Sequence, residues 1–275
     1  MVVFAGQGDP RRSMALLWRT NGEPPTRTAP GPKPGLSVDL IVDTAIEIAD
    51  QDGMAALSMR AVGERLGRTG MALYTYVPRK TELIDLMYDR ALGELATEVD
   101  LSHGWRAAVT AWAHDWREFS LRHPWTLQVS QARPVFGPNE YRALDTAARV
   151  LFEIGPQTAQ LRRIFNALLT FIRGSAQSIA ESRQAATETG VSDEEWWGVR
   201  SAELAEVAPD FADRFPMATR LNTEDRFRPN GSENMTYLDY LEAEAKKSFE
   251  LGLGMILDGI EADHRLRSRA RKAAR

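Results

Sequence analysis

The sequence predicts an all-α protein, with a small N-terminal three-helix domain of helix-turn-helix type and a larger helical domain behind it. Three observations carry this. Apolar residues recur at helical spacing over most of the chain beyond residue 37, and no segment alternates polar and apolar residues in the manner of a strand. The pairs His123-Pro124, Arg133-Pro134, Gly137-Pro138 and Gly155-Pro156 also place proline where helices stop or restart.

With 275 residues, 43 % hydrophobic and 26 % charged, the chain has the composition of a globular protein able to bury a large core. It holds no run of about 18 apolar residues, and Met1 to Pro10 lacks the charged start and apolar core of an export signal. A cytoplasmic protein away from membranes is therefore expected. The absence of cysteine excludes disulfides, thiolate metal sites and thiol nucleophiles. The net charge of −4 is uneven: residues 1–36 carry +3, 37–85 carry −3, 86–264 carry −10 and 265–275 carry +6. Basic ends on an acidic body keep a polyanionic partner open despite the overall sign.

Taken in order, residues 1–36 read as a flexible N-terminal arm, because Pro24-Pro25, Pro30, Pro32 and Pro34 forbid regular structure over much of it. Within the arm, residues 13–19 form an apolar island suited to docking on the rest of the protein. Arg11, Arg12, Arg19, Arg27 and Lys33 suit phosphate or minor-groove contact; a leader without function is the competing reading. Residues 37–84 form the small domain. Ser37 caps a first helix whose Ile41, Ala45, Ile48 and Ala49 make one buried stripe and which ends at Gly53. Its acidic residues Asp39, Asp43, Glu47, Asp50 and Asp52 suit a face turned away from a polyanion. Ser58 caps a second helix carrying Met59, Val62 and Leu66 inward, and Gly67 ends it in a left-handed turn. A third, short helix starts near Thr69 or Gly70 and turns Leu73 and Val77 inward, so Thr69, Met71, Ala72, Tyr74 and Tyr76 face out. Two short helices joined by a tight turn and closed by Arg79-Lys80 suit a DNA-reading module, whose last helix enters a major groove.

A longer helix over Thr81 to Val99 leads into the large domain, residues 85–264. Further helices are predicted over 104–122, 124–132, 138–154, 157–188, 193–207 and 235–262, with a poorly patterned stretch at 209–234. Residues 265–275 read as a basic tail that frays.

Residues 37–88 resemble the DNA-binding domain of the TetR family of bacterial transcriptional regulators. The resemblance rests on Ile41-Val42-Asp43-Thr44-Ala45 through Gly53, Leu57-Ser58-Met59-Arg60, Leu66-Gly67, Leu73-Tyr74, Tyr76-Val77 and the run from Lys80 to Leu83. The lead-in Gly31-Pro32-Lys33-Pro34-Gly35-Leu36-Ser37 is similar to that of the branch related to the tetracycline repressor, as are Phe249-Glu250-Leu251-Gly252-Leu253 and Leu257-Asp258-Gly259-Ile260-Glu261. The resemblance implies a homodimer with a ligand pocket in each large domain and dimer contacts through two late helices. By position it implies that Ser58 and Arg60 begin the second helix where bases or phosphates are contacted. Thr69, Gly70, Met71 and Ala72 then occupy the groove-facing turn, Tyr74 and Tyr76 press on bases or phosphate, and Lys80 binds phosphate. Gly70, Met71 and Ala72 depart from the family's pattern in offering no hydrogen-bonding side chain, so base discrimination leans on Arg60, thymine methyls and DNA shape.

In the large domain Trp105, Trp112, Trp116 and Phe119 share one helix face. Two readings stand: a core stripe, or the wall of a small-molecule site to which Phe165 belongs and to which His123, Gln128, Asn166 and Gln177 bring polar groups. The small residues Ala167, Gly174, Ala176, Gly252 and Gly254 suit close helix approach in a four-helix dimer interface. Catalytic signatures are missing: the four histidines form no His-Glu-x-x-His pair, no Gly-x-Ser-x-Gly elbow occurs, and Gly6-x-Gly8 precedes no strand and helix. The expected function is thus a DNA-binding regulator, a repressor released from a double-stranded operator by a small hydrophobic ligand, without catalytic residues, cofactor or metal. The alternatives are an architectural DNA-binding protein without effector and a small-molecule-binding enzyme.

Overall fold

A computed structural model describes residues 2–19, 35–155, 158–223 and 236–273. Among them the helices are α1 (Pro10–Leu17), α2 (Val38–Ala56), α3 (Met59–Arg65), α4 (Gly70–Leu73), α5 (Lys80–Leu92), α6 (Gly104–Arg122), α7 (Pro138–Phe152), α8 (Thr158–Thr189), α9 (Asp193–Val207), α10 (Phe211–Arg214), α11 (Pro216–Thr223) and α12 (Tyr237–Ala273). A 3-10 turn, Pro124–Gln128, stands where a helix over 124–132 was expected. No strand occurs among the described residues; the one bridge pairs Val3 with Val129. None of the described helices is long and apolar enough to cross a membrane.

The chain divides into two compact units. One comprises residues 1–173 with 259–275. The other, residues 174–258, buries Ala176, Ile179, Phe249, Leu253 and Leu257, whereas α9 buries nothing and exposes both Trp196 and Trp197.

In the first unit α2 is capped by Ser37, whose hydroxyl accepts from the Leu40 amide at 3.1 Å. Its regular part stops at Gly53, whose φ of 76° only glycine adopts without strain. The acidic residues of α2 are clamps: Asp39 pairs with Arg19, Asp43 with Arg90 at 3.1 Å and Asp52 with Arg65 at 3.5 Å, while Asp50 reaches the residues after α6. Helix α5 ends at Leu92, seven residues before the expected Val99, because the chain turns at Gly93. Its Glu82, Asp85 and Asp89 are buried, against the outward placement that charges take in an amphipathic helix. Two of these have amide partners. Asp89 accepts from the Asn139 and Glu140 amides, each at 2.9 Å, capping α7 from a distance, and Asp85 accepts from the Gly6 amide at 3.1 Å.

That last bond corrects the expectation for residues 1–36. Of the described part, residues 10–17 are helical rather than extended, and the segment lies along α5. Pro10 stands in the first turn, where its missing N–H costs nothing, and Asp9 caps the helix through the Arg12 amide at 2.8 Å. Ala5, Ser13 and Leu17 are buried. Val3 and Gln128 share a backbone bond of 2.9 Å, and Trp18 donates its indole N–H to the Phe136 carbonyl at 2.8 Å while packing on Tyr141. The proline-rich residues 20–34 lie outside the described residues. Deleting residues 2–18 is expected to cost about 2–4 kcal/mol, mostly through re-exposed apolar surface, read as a lowered denaturation midpoint. An unchanged midpoint would show that the segment contributes no stability. The fraying expected of the basic end is likewise corrected: α12 continues through Ala273, its Glu261 paired with Arg265.

Candidate nucleic-acid interface and ligand cavity

The head is held by contact between backbones. The Ser58 hydroxyl accepts from the Ala61 amide at 3.0 Å and so caps α3; Gly67, at φ 65°, makes the turn, and the Arg68 amide closes it on the Gly63 carbonyl at 2.8 Å. A Cβ on Gly63 would lie 2.9 Å from both the Arg68 carbonyl oxygen and the Gly70 nitrogen, and one on Gly70 would lie 3.2 Å from Arg60 Cα. These two glycines therefore set the crossing of α3 and α4. Val62, Leu73 and Val77, all fully buried, fill the space beneath.

The same contact sets the start of α4 against Arg60. Arg60 is exposed and pairs with Glu64 at 2.7 Å. Thr69, Tyr74 and Tyr76 are exposed, and Met71 is 76 % exposed, a large apolar side chain in water beside polar ones. Lys80 is exposed and donates to the Leu57 carbonyl, which leaves two of its three N–H groups for another acceptor. Ser58 spends its hydroxyl on the cap expected of it, whereas Gly70 and Ala72 are placed differently from the sequence reading: Gly70 faces α3 and Ala72 is half-buried. Arg68, which sequence reasoning passed over, and Arg79, read there only as part of the basic pair that closes the module, are exposed cations at either end of this stretch. Clustered charge beside a turn was their only signal.

Behind the head lies a cavity of about 230 Å³. Helix α5 contributes Tyr88 and Leu92, α6 Trp116, α7 Glu140, Tyr141, Ala143 and Leu144, α8 Phe165 and Leu169, and the segment before α7 adds Gln131, Pro134 and Phe136. Phe136 has φ 63°, the left-handed region that a non-glycine residue rarely occupies. Gln131 donates to the Tyr88 hydroxyl at 2.8 Å, and the Glu140 carboxylate accepts from the Phe136 amide at 2.7 Å. Burial pushes both the Tyr88 hydroxyl and the Glu140 carboxyl above their usual pKa ranges.

Of the eight ligand residues expected from sequence, two line this cavity, Trp116 and Phe165. Trp112 stands behind them, its ring 6.2 Å from Trp116 and 6.0 Å from Phe165. The other five are elsewhere. Phe119 is a core side chain against Trp116 and His123. His123 is buried in the junction with the head, its Nδ1 2.9 Å from Asp50 and its Nε2 3.1 Å from Glu94. Gln128 meets the N-terminal segment through its carbonyl, Asn166 is exposed, and Gln177 donates to Glu181 at 2.5 Å. These polar groups converge on other partners because periodicity reports which face a residue occupies and not what lies opposite that face. Glu140 and Tyr88 were legible only as a charge and an aromatic on two unrelated helices.

Fold and sites together define a helical DNA-binding regulator with a partly open apolar cavity behind its reading face. Residues 41–87 match the model for bacterial regulatory proteins of the tetR family, and residues 100–264 match that for the tetracyclin repressor-like C-terminal domain. The chain belongs to the TetR family of transcriptional regulators. It is 38 % identical over 261 residues, 94 % of this chain and 87 % of the relative, to the HTH-type transcriptional repressor DrrR1 of Streptomyces coeruleorubidus. It is 32 % identical over 146 residues, 53 % of this chain and 62 % of the other, to an HTH-type transcriptional regulator of Saccharopolyspora erythraea. Among solved structures, the TetR family protein ActR of Streptomyces coelicolor, in complex with actinorhodin, superposes with a TM-score of 0.64 at 25 % identity, covering 84 % of this chain and 98 % of that one.

Proposed function

We propose that the protein is a homodimeric repressor that acts in the cytoplasm, blocks transcription from a partly palindromic operator and leaves it when a small hydrophobic effector fills the cavity. The observation that carries this is the pairing, in one chain, of an exposed reading face around Arg60 and Met71 with an aromatic-walled cavity behind it. DrrR1 is named a repressor, and ActR is described bound to actinorhodin, which supports a ligand-released repressor here. The protein performs no catalysis. Two heads are required because a palindrome presents two half-sites about 34–36 Å apart. Leu251 and Met255 of α12, each 67 % exposed, suit the dimer contact.

Arg60 and Met71 read bases, Tyr74 and Tyr76 press on the backbone or its sugars, and Lys80, with Arg68 and Arg79, holds phosphate. A coupling of about 1–3 kcal/mol between effector and operator changes operator affinity roughly 5- to 150-fold. The test is fluorescence anisotropy against a genomic fragment pool that includes the gene's own upstream region, at about 150 mM salt, the salt on which such affinities depend, with and without hydrophobic compounds. Specific binding released by one compound is expected; binding that stays at the nonspecific background would overturn the reading. Lys80→Ala is expected to weaken binding on every sequence and to reduce the slope of log K against log salt by about one. An unchanged slope would remove the phosphate assignment.

A further inference from the structure

We propose that the cavity selects a cationic aromatic ligand, with the Glu140 carboxylate as counter-charge and the rings of Trp116, Phe165 and Tyr141 as walls; this rests on the effector reading above and narrows it. Among the described residues lining the cavity, Glu140 carries the only carboxylate, and no lysine, arginine or histidine faces it. The nearby half-buried guanidinium, Arg173, is committed to the carbonyls of Leu127 at 3.0 Å and of Val129 at 3.3 Å. Asp89, close enough to Glu140 to raise its pKa, is likewise buried; the charge of Arg173 is felt at the Tyr88 hydroxyl, and the charge among the lining residues themselves is negative, at Glu140. An anionic ligand would lose its hydration there and meet no cation.

Glu140 is held for this task. The Phe136 backbone N–H, at 2.7 Å, orients its carboxylate, which has about four lone-pair sites and so retains acceptor capacity toward the cavity. Burial outweighs this amide contact and, with Asp89, makes the anion costly; a bound cation relieves that cost. Aromatic faces carry negative quadrupoles and attract the same charge. The volume of about 230 Å³ exceeds by about one half the roughly 150 Å³ cavity that admits benzene, which suits a two-ring core. Tyr88, whose oxygen accepts from Gln131, has its own proton to offer a ligand oxygen.

Three probes of one shape and different charge test this on the full chain without DNA: N-methylquinolinium, a permanent cation; 1-methylnaphthalene, neutral; and 1-naphthoate, an anion. Binding is read by calorimetry and by quenching of tryptophan fluorescence. The cation is expected to bind at least about ten-fold more tightly than the anion, on the scale of a desolvated charge contact. Glu140→Gln keeps an acceptor for the Phe136 amide; it is expected to weaken cation binding about five- to ten-fold and to leave the neutral probe within about two-fold. If Glu140→Gln also loses the neutral probe, the wild-type preference between cation and anion decides alone. Equal binding of cation and anion, or a cation affinity indifferent to Glu140→Gln in a protein that still takes the neutral probe, overturns the charge inference and leaves the cavity as an effector site. Failure of all three probes to bind overturns both.

Discussion

Replacing Gly63 by valine is expected to abolish sequence-specific DNA binding while leaving ligand binding in the cavity intact. A Cβ at this position meets only backbone, 2.9 Å from the Arg68 oxygen and the Gly70 nitrogen and 3.0 Å from Thr69 C, so no side-chain rotation relieves it. The turn must open and α4 must swing away from α3, carrying Met71 and Tyr74 off the angle at which they enter the groove. Overpacking of this kind costs about 1–3 kcal/mol for small additions. Gly63→Ala is accordingly expected to weaken operator affinity about 5- to 150-fold, and valine to remove it. Gly67→Asn is the matched control, since Gly67 needs only a left-handed backbone, which asparagine tolerates, and nothing stands within 4 Å of its Cβ position. Anisotropy on the operator and probe binding in the cavity together give the readout. Wild-type affinity in Gly63→Ala would show that the crossing of the two helices does not position the reading face.

The second large effect is expected at His123. Its two nitrogens lie between Asp50 of α2 and Glu94 beyond α5; Asp50 also takes the Trp125 indole N–H at 2.8 Å, and Glu94 pairs with Arg122 at 3.0 Å. Burial lowers the imidazole's pKa, but the bonds to the two carboxylates outweigh it and raise the pKa above its ordinary value. A raised native pKa means that the stabilisation is complete below the unfolded value of about 6.5 and is lost as pH rises through the native value. His123→Ala should cost about 2–4 kcal/mol near pH 6, because in a half-buried junction it leaves Asp50 with the Trp125 indole and Glu94 with Arg122 but removes the cation that both carboxylates share. The cost should shrink at higher pH. Denaturant midpoints of both proteins across pH 5.5–9 decide it: a difference that does not fall as pH rises would remove the charge on His123 from the account.

The head was legible because its determinants are local. Ser58, Gly67 and the inward spacing of Val62, Leu73 and Val77 fix a cap, a turn and two helix faces within twenty residues, and the structure places each as the spacing requires. Long helices were legible for the same reason; α6 and α9 fall on the expected residues. Where the reading failed, burial of charge or a distant partner was responsible. Asp85 and Asp89 count as surface residues in any amphipathic pattern, yet amides from Gly6 and from the start of α7 let them lie inside. The N-terminal segment looked like a mobile arm with one apolar island because its prolines and that island are visible in sequence, whereas the α5 surface against which α1 packs is not.

By itself the sequence determined the helical fold, the three-helix head with its exposed Arg60, Met71, Tyr74 and Tyr76, and the family to which those residues point. Periodicity and capping depend on neighbours three or four residues away, and these the sequence states outright. Only the tertiary structure decided what each face meets. It took His123 out of the ligand site and into the junction, left Asn166 in solvent, and brought Tyr88, Phe136 and Glu140 together around one cavity from segments up to 52 residues apart. A cavity belongs to no helix; it is the space left where several helices pack, and its chemistry is fixed by contacts that sequence distance conceals.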